Sequence, residues 1–127
     1  MSLDGLIQKL ARIREFDVVG CMGIFSSDGK VIFVNEGCED GRPEFQVFGA
    51  QLAAGISHLL IPGAQISRFD RYNVTTIIET GEGSVYRMDL LTDKLALLIL
   101  STKTNYHRIA QFVPMIIDQI RQILNSP

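Results

Sequence analysis

Tryptophan is absent from this chain, and only two cysteines and four prolines occur among its 127 residues. Two cysteines exclude the dense disulfide framework of a small secreted scaffold, and the spacing of Cys21 and Cys38 matches no metal or redox motif. Cys21 stands in an apolar strand pattern and reads as a buried structural residue, while Cys38 stands in a loop rich in Gly, Asp and Glu. A basic excess is missing too. Lys and Arg number 12 against 14 Asp and Glu, a formal net charge of −2. That leaves no electrostatic footprint for nucleic acid or an anionic membrane. No window keeps the uninterrupted apolar length of a membrane span, because Gln46, Gln51, Ser57 and His58 break the best candidate. The opening MSLDGLIQKL lacks a basic region followed by an apolar run, so no signal peptide is expected and a reducing, cytoplasmic setting is the default.

Catalytic sets are equally scarce. GIFSSDGK resembles a phosphate-binding loop at a glance, but Ile24 stands where a Gly is required and Val31 follows Lys30 where Ser or Thr is required. His58 and His107 have no partner at metal spacing. Asp70, Asp89 and Asp93 read as strand-face and turn residues rather than an acid/base pair. Ser26-Ser27 has no base nearby in sequence. We therefore expect no enzyme, no cofactor and no metal.

What the chain has is a single domain's worth of well-patterned elements, residues 1–127, with a hydrophobic fraction of 46%. Leu3, Leu6, Ile7, Leu10 and Ile13 form one stripe of a first helix over Leu3–Phe16, with Lys9 and Arg12 on its wet face. Val18–Phe25 is a nearly continuous apolar strand, joined through Asp28-Gly29 to Val31–Val34 in a hairpin. Residues 35–41 are a polar loop. Gln65 to Arg71 reads as an irregular connection or the start of a short strand. Tyr72–Thr80, Ser84–Leu91 and Leu95–Leu100 read as three strands in series, the last central because it is the most apolar. A final helix opens at Thr104 or Asn105 and buries Ile109, Phe112, Val113, Ile116, Ile120 and Leu124; Pro114 should kink or restart it.

The order α-β-β-α-β-β-β-α predicts an α+β fold: three layers, α/β/α, around one five-stranded, mainly antiparallel sheet, two helices on one face and one on the other. The middle helix is the unusual element. Phe45, Phe48, Leu52, Ile56 and Leu59 share one face, and the opposite face carries Val47, Ala50, Gln51, Ala54, Ser57 and His58, with no charge on either side. Gly49 with Ala53, and Ala50 with Ala54, are small pairs one turn apart that would admit another backbone. Five strands span roughly 24 Å at about 4.8 Å each, and one helix covers roughly 8–10 Å. Apolar sheet surface should then remain open beside this helix, as at an interaction surface. Tyr72–Ile78, read as an edge strand, has no Lys or Pro to protect it and invites pairing with a second copy.

VVGCMGIFSSDGKVIFV, the uncharged GAQLAAGI helix, the YRMDLLTDKLALLIL hairpin and the TNYHRIAQ start of the last helix together resemble the Roadblock / dynein light-chain domain. The resemblance covers essentially Leu3 to Leu124. It implies a single antiparallel sheet of order 2-1-5-4-3, with the first and last helices on one face. It also implies dimerisation through the third strand and the middle helix, with itself or a paralogue. For prokaryotic members of this size it implies binding a small Ras-like GTPase, as activator or scaffold, by repositioning the GTPase rather than by donating an arginine. Carried onto this chain, the dimer interface falls on Val47, Ala50, Gln51, Ala54, Tyr72, Asn73, Val74, Thr75, Thr76, Ile77 and Ile78. Partner binding falls on Val47, Gln51, Ala54, His58, Arg68 and Arg71. As arginine fingers, Arg68 and Arg71 are set behind simpler readings, a solvated loop or a salt bridge to Asp70. The competing expectation is a small-molecule sensor holding its ligand between helix and sheet.

Overall fold

The Asp28-Gly29 turn is where the fold is easiest to derive. In a computed structural model of the chain, Gly29 adopts φ +87°, a left-handed value that a side chain rarely tolerates. It sends β1 (Cys21–Ser26) back antiparallel into β2 (Val31–Val34), with a register irregularity between Ile24 and Phe25. The structure describes residues 5, 8, 9, 12, 21–34, 45, 46, 49–51, 66–72, 74–81 and 83–125, and for 66, 67, 69, 71 and 72 the backbone only. Four further strands follow: β3 (Ile66–Tyr72), β4 (Thr75–Thr80), β5 (Ser84–Leu90) and β6 (Leu95–Thr102). Helices α1 (Lys103–Ala110) and α2 (Val113–Leu124) close the chain.

All pairings are antiparallel, in the order β2-β1-β6-β5-β4-β3. This is the expected order with one strand added at the far edge. The most apolar run, LALLIL, lies in the centre as its composition demands, flanked by β1 and β5. The added strand corrects the five-strand count. YNVTTIIET reads as one strand because β-branched residues outweigh its single Asn, yet the register pairs Tyr72 with Thr75, so β3 ends and β4 begins within it.

Alternation sorts the side chains onto two faces. Met22, Ile24, Leu97 and Ile99 point to one and join Ile109, Val113, Ile116 and Ile120 of α1 and α2 in a buried cluster. Phe25, Ile78, Tyr86, Met88 and Leu98 point to the other and pack in a cluster with Phe45. Phe45, Gln46, Gly49, Ala50 and Gln51 are helical, as are Gly5, Gln8 and Lys9. Helical layers thus cover both faces of the sheet. The rest of the first and middle helices, including the stripe Leu3–Ile13, lies outside the described residues.

Pro114 acts as expected. Gln111 and Phe112 break the helix, and α2 restarts with Pro114 in its first turn, where no backbone donor is needed. The cap of α1 is a correction: Thr102, rather than Thr104 or Asn105, accepts the Asn105 amide at 3.3 Å. Arg121 ties α2 to the sheet, donating from Nε to the Leu91 carbonyl at 3.2 Å. Among the described residues, no helix is long and apolar enough to cross a membrane.

Candidate functional site

Three expectations about the interaction surface change when the strands are paired. The first concerns the edge. Thr75, Thr76, Ile77 and Ile78 are not at the sheet margin, because β4 is paired on one side with β5 and on the other with β3 of the same chain. Among the described residues the terminal strand on this side is β3, which carries Arg68, Asp70, Arg71 and Tyr72. The second concerns coverage. Ile78 is fully buried, and Tyr86 and Met88 retain 8% and 4% of their exposure in a single chain. The sheet beside the middle helix is therefore covered at these positions without a second copy. The third concerns Gly49. It is buried, and a Cβ built on it would stand 2.3 Å from Phe25 Cζ. Its smallness serves the packing of its own helix on β1, not the approach of another chain.

Ala50 and Gln51 are half-buried, and Gln46 is exposed. The Ala50 carbonyl lies 3.6 Å from where a Gly29 Cβ would be, so the helix rests against the β1–β2 turn. Val74 is 47% exposed in the β3–β4 connection. Val47, Ala54, His58 and Asn73 lie outside the described residues.

Cys21 is buried, at 8% exposure, and disulfide-bonded, a structural cysteine as its apolar strand pattern implied. The sequence offers one other cysteine, Cys38, outside the described residues.

The face under α1 carries a polar array that the sequence did not single out. Asp89 is only 3% exposed. It accepts from Arg87 Nε at 2.9 Å, from Arg87 Nη2 at 3.3 Å and from Thr75 Oγ1 at 2.6 Å. Arg87 Nη1 reaches the Tyr106 hydroxyl at 3.4 Å. Burial pushes the Arg87 guanidinium down, but the hydrogen bond and charge of Asp89 outweigh it and hold it above its ordinary value. Asp89 is thus a structural ion-pair partner, as its place on a strand face implied.

One strand further out, Arg68 Nε donates to Asp70, the ion pair preferred from the sequence. Arg68 Nη1 also lies 3.8 Å from Glu79 Oε1, and Lys103 Nζ lies 3.7 Å from Glu79 Oε2. Around these groups is a half-open cavity of about 400 Å3, lined by Arg68, Ile77, Glu79, Val85, Lys103, Tyr106 and His107. It lies on the α1 face, not between the middle helix and the sheet where a ligand was expected. The available signal was faint: charges at alternating positions of strands β3–β5 mark a wet face, but which helix residues meet them depends on register. Among the described residues, no group of three or more His, Cys, Asp and Glu is placed to hold a metal.

The fold has solved counterparts. Acanthamoeba castellanii profilin IA superposes with a TM-score of 0.62 at 14% identity, over 95% of this chain and 98% of its own. Myxococcus xanthus MglB superposes with a TM-score of 0.53 at 10% identity, over 98% of this chain and 91% of its own. The likeness is one of fold. No family model and no curated protein sequence matches the chain.

Proposed function

We propose that this protein is a non-catalytic, dimeric interaction module that binds and regulates a small Ras-like GTPase, as activator or scaffold. The reading rests on the resemblance of its segments to the Roadblock domain. The observation that carries it is the sheet order: β2-β1-β6-β5-β4 is the order this resemblance implies, and β3 extends it by one strand. The likeness of fold to MglB is consistent with it.

The dimer forms through β3 rather than β4. If two copies of Ile66–Tyr72 pair antiparallel about a two-fold at Phe69, Arg68 of each copy stands opposite Asp70 of the other, on the same sheet face. Opposite charges facing across an antiparallel pair contribute roughly 0.2–1 kcal/mol each, and like charges oppose pairing. The strand is therefore complementary to itself. The resemblance assigns the partner's floor to the uncharged middle helix, of which Ala50 and Gln51 are half-buried.

Sedimentation velocity at micromolar concentration tests the dimer. The native chain and the swap Arg68→Asp/Asp70→Arg should both sediment as dimers, while Arg68→Asp alone should shift toward monomer. A native monomer that captures no nucleotide-loaded GTPase would sink the reading.

A further inference from the structure

The cavity under α1 has the size and composition of a ligand site. Its volume of about 400 Å3 lies within the usual range for such sites, roughly 300–1,000 Å3. Ile77 and Val85 supply apolar surface from neighbouring strands, and Val85 is almost fully buried. Arg68 of β3 supplies one cationic wall, and Lys103, with Tyr106 and His107, supplies the other from α1.

Glu79 stands between the two walls, one carboxylate oxygen toward each cation, at 3.8 and 3.7 Å. Those separations exceed hydrogen-bond length, about 2.7–3.2 Å for a nitrogen donor. An internal carboxylate thus spans two cations across an open cavity, at ion-pair distance from each. Asp70 shares Arg68, so the α1 wall is the more positive of the two. Arg87 adds no net charge, because Asp89 neutralises it. Instead it braces the Tyr106 hydroxyl at 3.4 Å.

We propose that this cavity binds a small organic anion, with a carboxylate or phosphate head between Lys103 and Arg68 and an apolar body on Ile77 and Val85. The head takes over the ion pairs that Glu79 makes, so Glu79 acts as a built-in competitor. This sets a modest resting affinity and gives the site a distinctive response to mutation. The site shares Arg68 with the β3 seam proposed above, but its other lining residues lie on β4, β5 and α1, and it needs no second chain.

The test is an NMR titration of the isotopically labelled full chain with benzoate and with phenyl phosphate, with inorganic phosphate and benzyl alcohol as controls. Saturable shifts centred on the amides of Ile77, Glu79, Val85, Lys103 and Tyr106 are expected for one or both phenyl anions. Inorganic phosphate should bind more weakly and benzyl alcohol not at all. Comparing benzoate with phenyl phosphate identifies the head group. Lys103→Gln should weaken binding by about tenfold or more, the effect of losing one charged hydrogen bond. Glu79→Gln should tighten it, because the side chain keeps its shape and loses the competing charge. Absence of saturable shifts with both phenyl anions, undiminished affinity in Lys103→Gln, or no tightening in Glu79→Gln would each overturn the proposal. Neither variant alters β3, so failure here leaves the dimer experiment untouched; the dimer variants change Arg68 and are kept out of the ligand titration.

Discussion

A single hydrogen atom decides how closely the middle helix approaches the sheet. At Gly49 any side chain would meet the Phe25 ring, whose nearest atoms stand 2.3–2.6 Å from the position of a Cβ. Phe25 is fully buried and packs against the equally buried Phe45, ring centroids 5.9 Å apart, so it has no room to yield. Gly49→Ala should destabilise the fold although Ala is the better helix former, because overpacking costs about 1–3 kcal/mol against at most about 1 kcal/mol of propensity. A urea midpoint equal to or above the native value would refute this packing. From the sequence alone, Gly49 and Ala53 read as an outward notch, since spacing shows which residues share a face but not which of two small-residue faces turns inward. Arg87 and Asp89 teach a similar lesson. Their alternation places them on one face of β5, but only pairing with β4 brings Thr75 to Asp89, and only the docking of α1 brings Tyr106 to Arg87.

At the scale of elements, local chemistry carried most of the reading. Pro114 cannot donate an amide inside a helix, so the break before α2 follows from one residue. The β1–β2 hairpin follows from Asp28-Gly29, and its turn is closed by side chains as well. The Ser26 hydroxyl donates to the Asp28 carboxylate, and the Lys30 amide donates to Ser26 Oγ at 3.2 Å. The Ser26 hydrogen bond, supported by the charge of Lys30, holds the Asp28 carboxyl below its ordinary value. A carboxylate depressed by folding adds stability above its unfolded pKa and loses it as pH falls through the folded one. Native stability should therefore decline as pH drops below about 4, and this contribution should be missing in Asp28→Asn. Parallel acid titrations of the two proteins in fixed urea check this; identical pH slopes would remove Asp28 from the account. The element left open was β3, read as an irregular connection or the start of a short strand, because its charged ISRFDRY sequence lacks the apolar alternation that marks a strand and becomes one by pairing with β4.

For the whole molecule, the pairing of β1 with β6 and the disulfide at Cys21 meet at the sheet centre. Cys21 lies opposite Leu100 in the register and is 8% exposed, so the bond is anchored in the core of the central strands. Disulfides of natural domains contribute typically 2–4 kcal/mol by restricting the unfolded chain. Reductant should lower the melting temperature of the native chain and leave Cys21→Ser unchanged, with the two converging under reducing conditions. Equal melting with and without reductant would show that the bond contributes nothing to stability.

By itself the sequence determined the hairpins, the central strand, the antiparallel sheet with helices on both faces and the restart of the last helix. All of these follow from short-range rules: side-chain period, turn residues and the missing donor of proline. Tertiary structure alone decided that β4 is interior and β3 the margin, that Gly49 faces Phe25, and that Lys103 and Arg68 flank Glu79 around a cavity. Each of these depends on which distant strand or helix is brought alongside. A one-residue slip of register would turn Glu79 to the opposite face of the sheet, and no local pattern encodes that choice.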